Sequence, residues 1–256
     1  MRKISRLLRA LVNILENNNN DDPLVNGENN SLLAALAFLN KDPPKKRVIL
    51  DVGANVGKWS ELVLNAVDTE LLKTDLYLFE PVDFNVKNLI VRFGSFENVH
   101  ILDFGLSDVE GKSVVHFNKN ISTFSSLYSR ETLTSSGHTF DELKCNFSTG
   151  LNFIKKHEIS SVEYLKIDTD GHDLFVLEGF GEYLNPETIR FIQFEYGGAN
   201  IDSRTFLRDF FDLLLPLGYS IGKIYQNNIE ELSYSERLEN FTNCNYLAFS
   251  KKFLIK

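Results

Sequence analysis

The chain has 256 residues, 43% of them apolar, and a formal net charge of −8 at neutral pH. That length supports one sizeable core with a small addition. The acidity argues against a general nucleic-acid binder, whose phosphate contacts need clustered Lys and Arg, and no apolar stretch approaches the ~20 residues of a membrane span.

In chain order, residues 4–15 place Ile4, Leu7, Leu8, Leu11, Val12 and Leu15 at helical spacing, with Arg2, Lys3, Arg6 and Arg9 largely on the other side. Such a helix packs on the body, packs on a second subunit of a homodimer, or lies on an anionic membrane surface. No signal peptide is expected, because neither a long apolar region nor a small-residue cleavage site follows the basic start. The stretch "NNNNDDP" (residues 17–23) has nothing to bury and predicts a mobile linker. A helix around residues 31–40 is then broken by "KDPPKK".

From residue 48 onward strand and helix alternate. Residues 48–52 form an apolar strand with an acid near its end, and Trp59, Leu62, Val63, Ala66 and Val67 make a helix stripe. Strands are expected at 76–79, 99–104, 162–167, 189–195, 219–224 and 245–250, and "SVVHFN" reads as a hairpin arm. Helices are expected at 83–93, 152–157, in "HDLFVLEGF", and at 203–215, the last with Phe206, Phe210, Leu213 and Leu214 on one side. Residues 119–148 are polar with weak periodicity. The alternation predicts a doubly wound, mostly parallel α/β sheet. Cys145 and Cys244 lie in neither a CxxC nor a metal-type spacing, and both are expected to be reduced thiols of a cytoplasmic protein.

In such a sheet ligands sit beyond the carboxyl ends of the strands. The first loop there is "DVGANVG", residues 51–57. Gly53 lets the chain turn sharply, and Gly57 lets the helix start close to the ligand and sheet, where free N–H groups can hold an anion. The spacing lacks the middle glycine of a dinucleotide fingerprint, and no Walker Lys-Ser/Thr pair follows. What remains suits a ligand without phosphates but with an amino-acid end. Asp51 either contributes to that site or caps its own loop. Glu80, at the tip of the second strand in "LYLFEP", is placed to accept both ribose hydroxyls of a nucleoside. Asp108, in "LSDVEG", either accepts from an adenine amino group or is a turn residue. With Ala54, Asn55, Pro81 and Ser107 beside them, these residues form the expected cofactor-binding set.

Taken as ordered blocks, the sequence resembles the FkbM family of S-adenosylmethionine-dependent methyltransferases. "ILDVGANVGKWS", "LYLFEPVDFNVKNL", "LSDVEGKSVVHF", "STFSSLYS", "EYLKIDTDGHDLFVLEGF", "IQFE" and "NYLAFS" carry the likeness over about residues 48–252. The resemblance implies a Rossmann-like class I methyltransferase with a seven-stranded sheet whose last strand is antiparallel. It divides the chain into residues 1–22, a helix and linker, and a methyltransferase domain over 23–256 with an inserted segment at about 111–148. It also implies O-methylation of a saccharide or other small molecule, with S-adenosyl-L-homocysteine as product. One departure is Asp170, which stands where the family usually has Glu.

A hydroxyl is a poor nucleophile at neutral pH, so a base or a metal must assist. Asp168, Asp170, His172 and Glu195 follow the fourth and fifth strands and are the candidates. They are expected to cluster, with the carboxylates raising the pKa of His172. Several acids could bind Mg²⁺, although the spacing does not demand a metal. Ser125 and Ser126 either line the acceptor pocket or belong to a polar loop, and that pocket is assigned to 119–148 and 225–242. A nicotinamide-dependent enzyme and a non-catalytic module on the same fold are the alternatives.

Overall fold

The computed structural model describes residues 2–41, 46–67, 73–118, 125–129, 134–135 and 137–251. The chain opens with α1 (Arg2–Leu15) and α2 (Glu28–Leu39). It continues through β1 (Arg47–Val52), α3 (Lys58–Ala66), β2 (Thr74–Phe79), α4 (Asp83–Phe93) and β3 (Val99–Leu102). Four strands follow, β4 (Gly105–Ser107), β5 (Gly111–Phe117), β6 (Ser125–Ser126) and β7 (Asp141–Thr149), leading into α5 (Gly150–Lys156). The last part comprises β8 (Tyr164–Ile167), α6 (Asp173–Glu178), β9 (Phe191–Tyr196), α7 (Ala199–Ser203), α8 (Leu207–Leu214), β10 (Tyr219–Ile224), β11 (Ile229–Glu231) and β12 (Cys244–Ser250).

The main sheet has the order β11-β10-β12-β9-β8-β1-β2-β3. Strands β9, β8, β1, β2 and β3 pair in parallel, and β12 runs antiparallel between β9 and β10. This is the expected mostly parallel sheet with an antiparallel last strand. An eighth strand, β11, pairs back on β10 through Ile224 and Ile229 where a loop was expected.

Strands buried on both faces read as continuous apolar runs. Leu50, Val52, Leu165 and Ile167 face one core with Phe153 and Ile154 of α5, Val176 and Leu177 of α6, and Phe210 and Phe211 of α8. Ile49, Leu76 and Leu78 face the other, with Leu32 and Leu36 of α2, Trp59 and Val63 of α3, and Leu89 and Phe93 of α4. Phe206 departs from its expected place on the α8 stripe. It precedes the helix, donates its N–H to Asp209 Oδ2 at 2.8 Å and is about half exposed, while Leu207 is buried instead.

The polar insert is more regular than its sequence suggests. Strands β4, β7, β5 and β6 make a second, four-stranded sheet. In β7 the residues Leu143, Cys145 and Phe147 alternate and pack with Val115 and Phe117 of β5. The expected "STFSSLYS" element lies partly outside the described residues. Cys145 and Cys244 are both free and buried.

The N-terminal arm differs from expectation in two ways. Helix α1 does not pack on the body: Ile4, Leu7, Leu8, Leu11, Val12 and Leu15 are each more than half exposed. The asparagine run is anchored. Asn17 and Asn18 are buried, and Asn17 Nδ2 donates to the carbonyls of Asn26 at 2.5 Å and Ile224 at 3.1 Å. Lys223 Nζ donates to Asn18 Oδ1 at 2.8 Å, and Asn19 N to the carbonyl of Asn243 at 2.7 Å. Asparagine suits this job because its amide satisfies strand-end carbonyls and it tolerates left-handed backbone; Asn17 and Asn19 have φ of 54 and 53°. A chain starting at Pro23 should lose these buried bonds and unfold with ~2–4 kcal/mol less stability. Urea titration of both forms reads the difference; equal midpoints would mean that the arm contributes nothing.

Candidate active site

The loop after β1 bends back over the end of β2. Gly53 N and Ala54 N both donate to the carbonyl of Phe79, at 3.0 and 3.1 Å. Gly53 has a φ of +85°, and a Cβ there would overlap the carbonyl of Asp168. The turn and the crossing with the neighbouring strand tip therefore both demand glycine. Gly57, at φ +79°, presses on Phe93 and Leu89 of α4, so its tight approach is to a helix. Asn55 takes a left-handed φ of 51° and donates its N–H to Glu80 Oε2 at 2.8 Å.

Glu80 is buried at the tip of β2, and its Oε1 accepts from Val82 N at 2.9 Å. Burial pushes its carboxyl up to about 7, against the pull of those N–H donors. Asp51 is fully buried, and among the described residues no loop N–H donates to it. Its Oδ2 accepts from Ser60 Oγ at 2.6 Å, and its Oδ1 lies 3.8 Å from Lys166 Nζ.

Lys166 was not singled out in the sequence. It lies on β8 beside β1, buried, with its Nζ 3.1 Å from Asp168 Oδ2 and 5.8 Å from the Trp59 ring centre. Burial alone would lower its pKa, but Asp168, Asp51 and Glu28 outweigh that and hold the ammonium charged. Glu28 is another buried acid absent from the sequence reading. It accepts from Asn26 Nδ2 and Gln193 Nε2, both at 2.6 Å.

His172 stands at the start of α6, buried, in a chain of hydrogen bonds. Ser107 Oγ donates to Asp108 Oδ1 at 2.9 Å, so Ser107 can only accept from His172 Nε2, also at 2.9 Å. Tyr128 OH, 2.9 Å from His172 Nδ1, then supplies the remaining proton. Both ring nitrogens are engaged. The expectation that carboxylates raise this histidine is overturned: burial lowers it to about 4, and Asp108 opposes only in part. Burial and then Asp108 push Tyr128 up to about 12.

Two cavities open at the strand tips. The smaller, about 60 Å³, is walled by Leu106, Val115, Leu127 and Phe147, with Glu80, Pro81, Ser125, Ser126 and His172 supplying polar groups. The larger, about 220 Å³, is lined by Glu28, Asp170, Glu195, Asn55, Asn243 and Asn245, together with Asp21 and Pro23 of the N-terminal arm. Gly53 and Asp168 line both. The structure thus brings Asp168, Asp170 and Glu195 to one cavity and leaves His172 on the other. Ser107 and Asp108 do not line either; Ser107 is buried and Asp108 exposed. Ser126 Oγ donates to the Asp170 carbonyl at 2.8 Å, so β6 closes over the β8 tip.

Glu195 is partly buried at the end of β9, and desolvation followed by Asp168, Asp170 and Asp173 pushes its carboxyl well above the ordinary range. Asp173, missed in the sequence, holds the two tips together. It accepts from Thr169 Oγ1 at 2.8 Å and from Glu195 N at 3.1 Å, and burial raises it to about 6. Its signal was an acid in the first turn of a helix, easily read as a dipole partner. Among the described residues no group of three or more His, Cys, Asp or Glu is arranged to hold a metal ion.

The chemistry of the lining suits a nucleoside with an amino-acid tail, which would have to widen the smaller cavity to enter it. Apolar walls with one buried acid suit a nucleoside, and the larger cavity offers Lys58 and acids to a zwitterion. The indole N–H of Trp59, buried with no hydrogen-bond partner among the described residues, is a donor available to a carboxylate.

A model of the methyltransferase FkbM domain matches residues 51–221. No curated protein matches the sequence. Among solved structures, the chain is similar to methyltransferase FkbM from Methylobacillus flagellatus at 13% identity and a TM-score of 0.48, covering 84% of this chain and 47% of that one. It thus spans about half the length of that protein. It is also similar to precorrin-6y C5,15-methyltransferase from Geobacter metallireducens (12%, TM-score 0.43, 85% of this chain and 87% of that one). A third likeness is to Aeropyrum pernix fibrillarin in complex with natively bound S-adenosyl-L-methionine (13%, TM-score 0.43, 85% and 74%). The family match covers well over half of the chain and displaces the nicotinamide alternative. The chain belongs to the FkbM family of S-adenosylmethionine-dependent methyltransferases.

Proposed function

We propose that the chain transfers the methyl group of S-adenosylmethionine to a hydroxyl of a saccharide or other small molecule, with Glu195 as the general base. The observation that carries this reading is the meeting of a small apolar cavity and a larger cavity of acids and amides at Gly53 and Asp168. The donor, when bound, supplies an electrophilic methyl on a sulfonium. In this reading Glu80 accepts from the ribose, while Leu106, Val115 and Phe147 enclose the base and exclude water. Asp168, held by Lys166, faces the ammonium of the amino-acid end, and Trp59 Nε1 and Lys58 face its carboxylate. The amides of Asn55, Asn243 and Asn245 suit a polyhydroxylated acceptor, because each offers both a donor and an acceptor.

The base must lie where the acceptor lies and must have a proton affinity matched to working pH. Glu195 meets both conditions. His172 meets neither, since it lines the other cavity and is neutral down to about pH 4. Its part is to join Ser107 and Tyr128 behind the cavity wall.

Glu80→Gln should weaken binding of S-adenosylhomocysteine by ~1–3 kcal/mol in calorimetry, because it removes a buried acceptor; unchanged affinity would remove the ribose assignment. Because burial and neighbouring acids raise Glu195, it is protonated in acid, and turnover should climb as pH rises through a value above the usual carboxylate range. Glu195→Gln should abolish that rise and lower turnover ~10²–10⁴-fold with donor affinity retained. His172→Gln should keep the rise. Loss of turnover on adding chelator would instead assign activation of the hydroxyl to a metal such as Mg²⁺.

A further inference from the structure

We propose that α1 is a lipid-contacting helix that holds the protein on an anionic membrane surface. Its sequence, RKISRLLRALVNIL, is divided cleanly between two arcs. At 3.6 residues per turn, Ile4, Leu7, Leu8, Leu11, Val12, Ile14 and Leu15 fall within an arc of about 160°. Arg2, Lys3, Arg6 and Arg9 occupy positions on the remaining arc, and no acidic residue occurs in the helix. All seven apolar side chains are more than half exposed. A 14-residue helix alone in water is marginal, so a helix with this face needs something to cover it.

Charge selects the occupant. A second copy of the helix would cover the apolar face but leave the bases of both on the outside, with no acid on either helix to pair with them. The apolar face spans only two heptads, fewer than the three or four a coiled coil needs. An anionic bilayer satisfies both arcs at once: acyl chains cover the leucines and headgroup phosphates face the bases. The chain as a whole carries −8, whereas this helix carries four bases and no acid. The anchor beyond the helix gives the contact a fixed place on the body. Glu16 accepts from Lys223 Nζ and Tyr225 OH, both at 3.3 Å, and the buried Asn17 and Asn18 follow. A few residues later, Asp21 and Pro23 wall the larger cavity, so a helix seated on lipid brings that opening close to the membrane surface.

Flotation of the full chain with vesicles of phosphatidylcholine, with and without phosphatidylserine, tests this. The protein should float with the anionic vesicles, stay behind with the neutral ones and be largely released by high salt. Arg6→Gln should weaken partitioning about fivefold, and Leu7→Glu with Leu11→Glu should abolish it. Both variants should keep the melting temperature and the affinity for S-adenosylhomocysteine, because these side chains point away from the body. Failure to float with anionic vesicles, or undiminished flotation of the double variant, would overturn the proposal. A dimer in analytical ultracentrifugation that becomes monomeric in the double variant would also overturn it, and would make a second copy the occupant.

Discussion

An ammonium group lies buried inside the parallel sheet, 3.1 Å from Asp168 and 3.8 Å from Asp51. Most of what surrounds the ligand depends on it. Asp51 is fully buried on β1, and a carboxylate there without a cation would be strongly unfavourable. Removing one partner of such a buried pair costs about 3–5 kcal/mol, because the other charge is stranded. Lys166 therefore ties β1 to β8 by charge as well as by backbone pairing. Asp51 in turn holds Ser60, which fixes the start of α3. The loop carrying Gly53 and Asn55 is stretched between these fixed points.

The same cation sets the character of the two cavities. Asp168 stands on the wall between them, with its carboxylate drawn toward Lys166. Beyond it burial and then neighbouring acids raise the carboxyls, Asp173 to about 6 and Glu195 well above the ordinary range. One strand tip therefore presents an acid paired to a cation and the next a basic one, a division that suits binding on one side and proton transfer on the other. On the far side, burial makes His172 a neutral link between Tyr128 and Ser107.

The main sheet was legible because its strands are covered on both faces. Runs such as residues 48–52 and "YLKI" admit little else, and acids at their ends mark the ligand side. The second sheet was harder to read: β5 begins with four exposed residues, and the alternation of Leu143, Cys145 and Phe147 is diluted by charge. The asparagine run could not be read locally, because what buries it is distant; Asn17 meets a carbonyl 207 residues away. Lys166 and Glu28 were missed for the same reason. A lysine in an apolar strand, or an acid at a polar helix start, looks solvated until its partners from other strands are known. His172 shows the converse case. Its position at a strand tip suggested a base, but its burial and its two hydroxyl partners depend on β4 and on the residues after β6.

The central claim is that one ligand crosses Gly53, with its nucleoside in the apolar cavity and its reactive end beside the acids. A crystal structure with S-adenosylhomocysteine tests it most directly. The account predicts ribose hydroxyls within hydrogen-bonding distance of Glu80, the Lys166–Asp168 ion pair intact, and the sulfur facing the cavity that holds Glu195. A sulfur directed at His172, with Glu195 screened from it, would contradict the account.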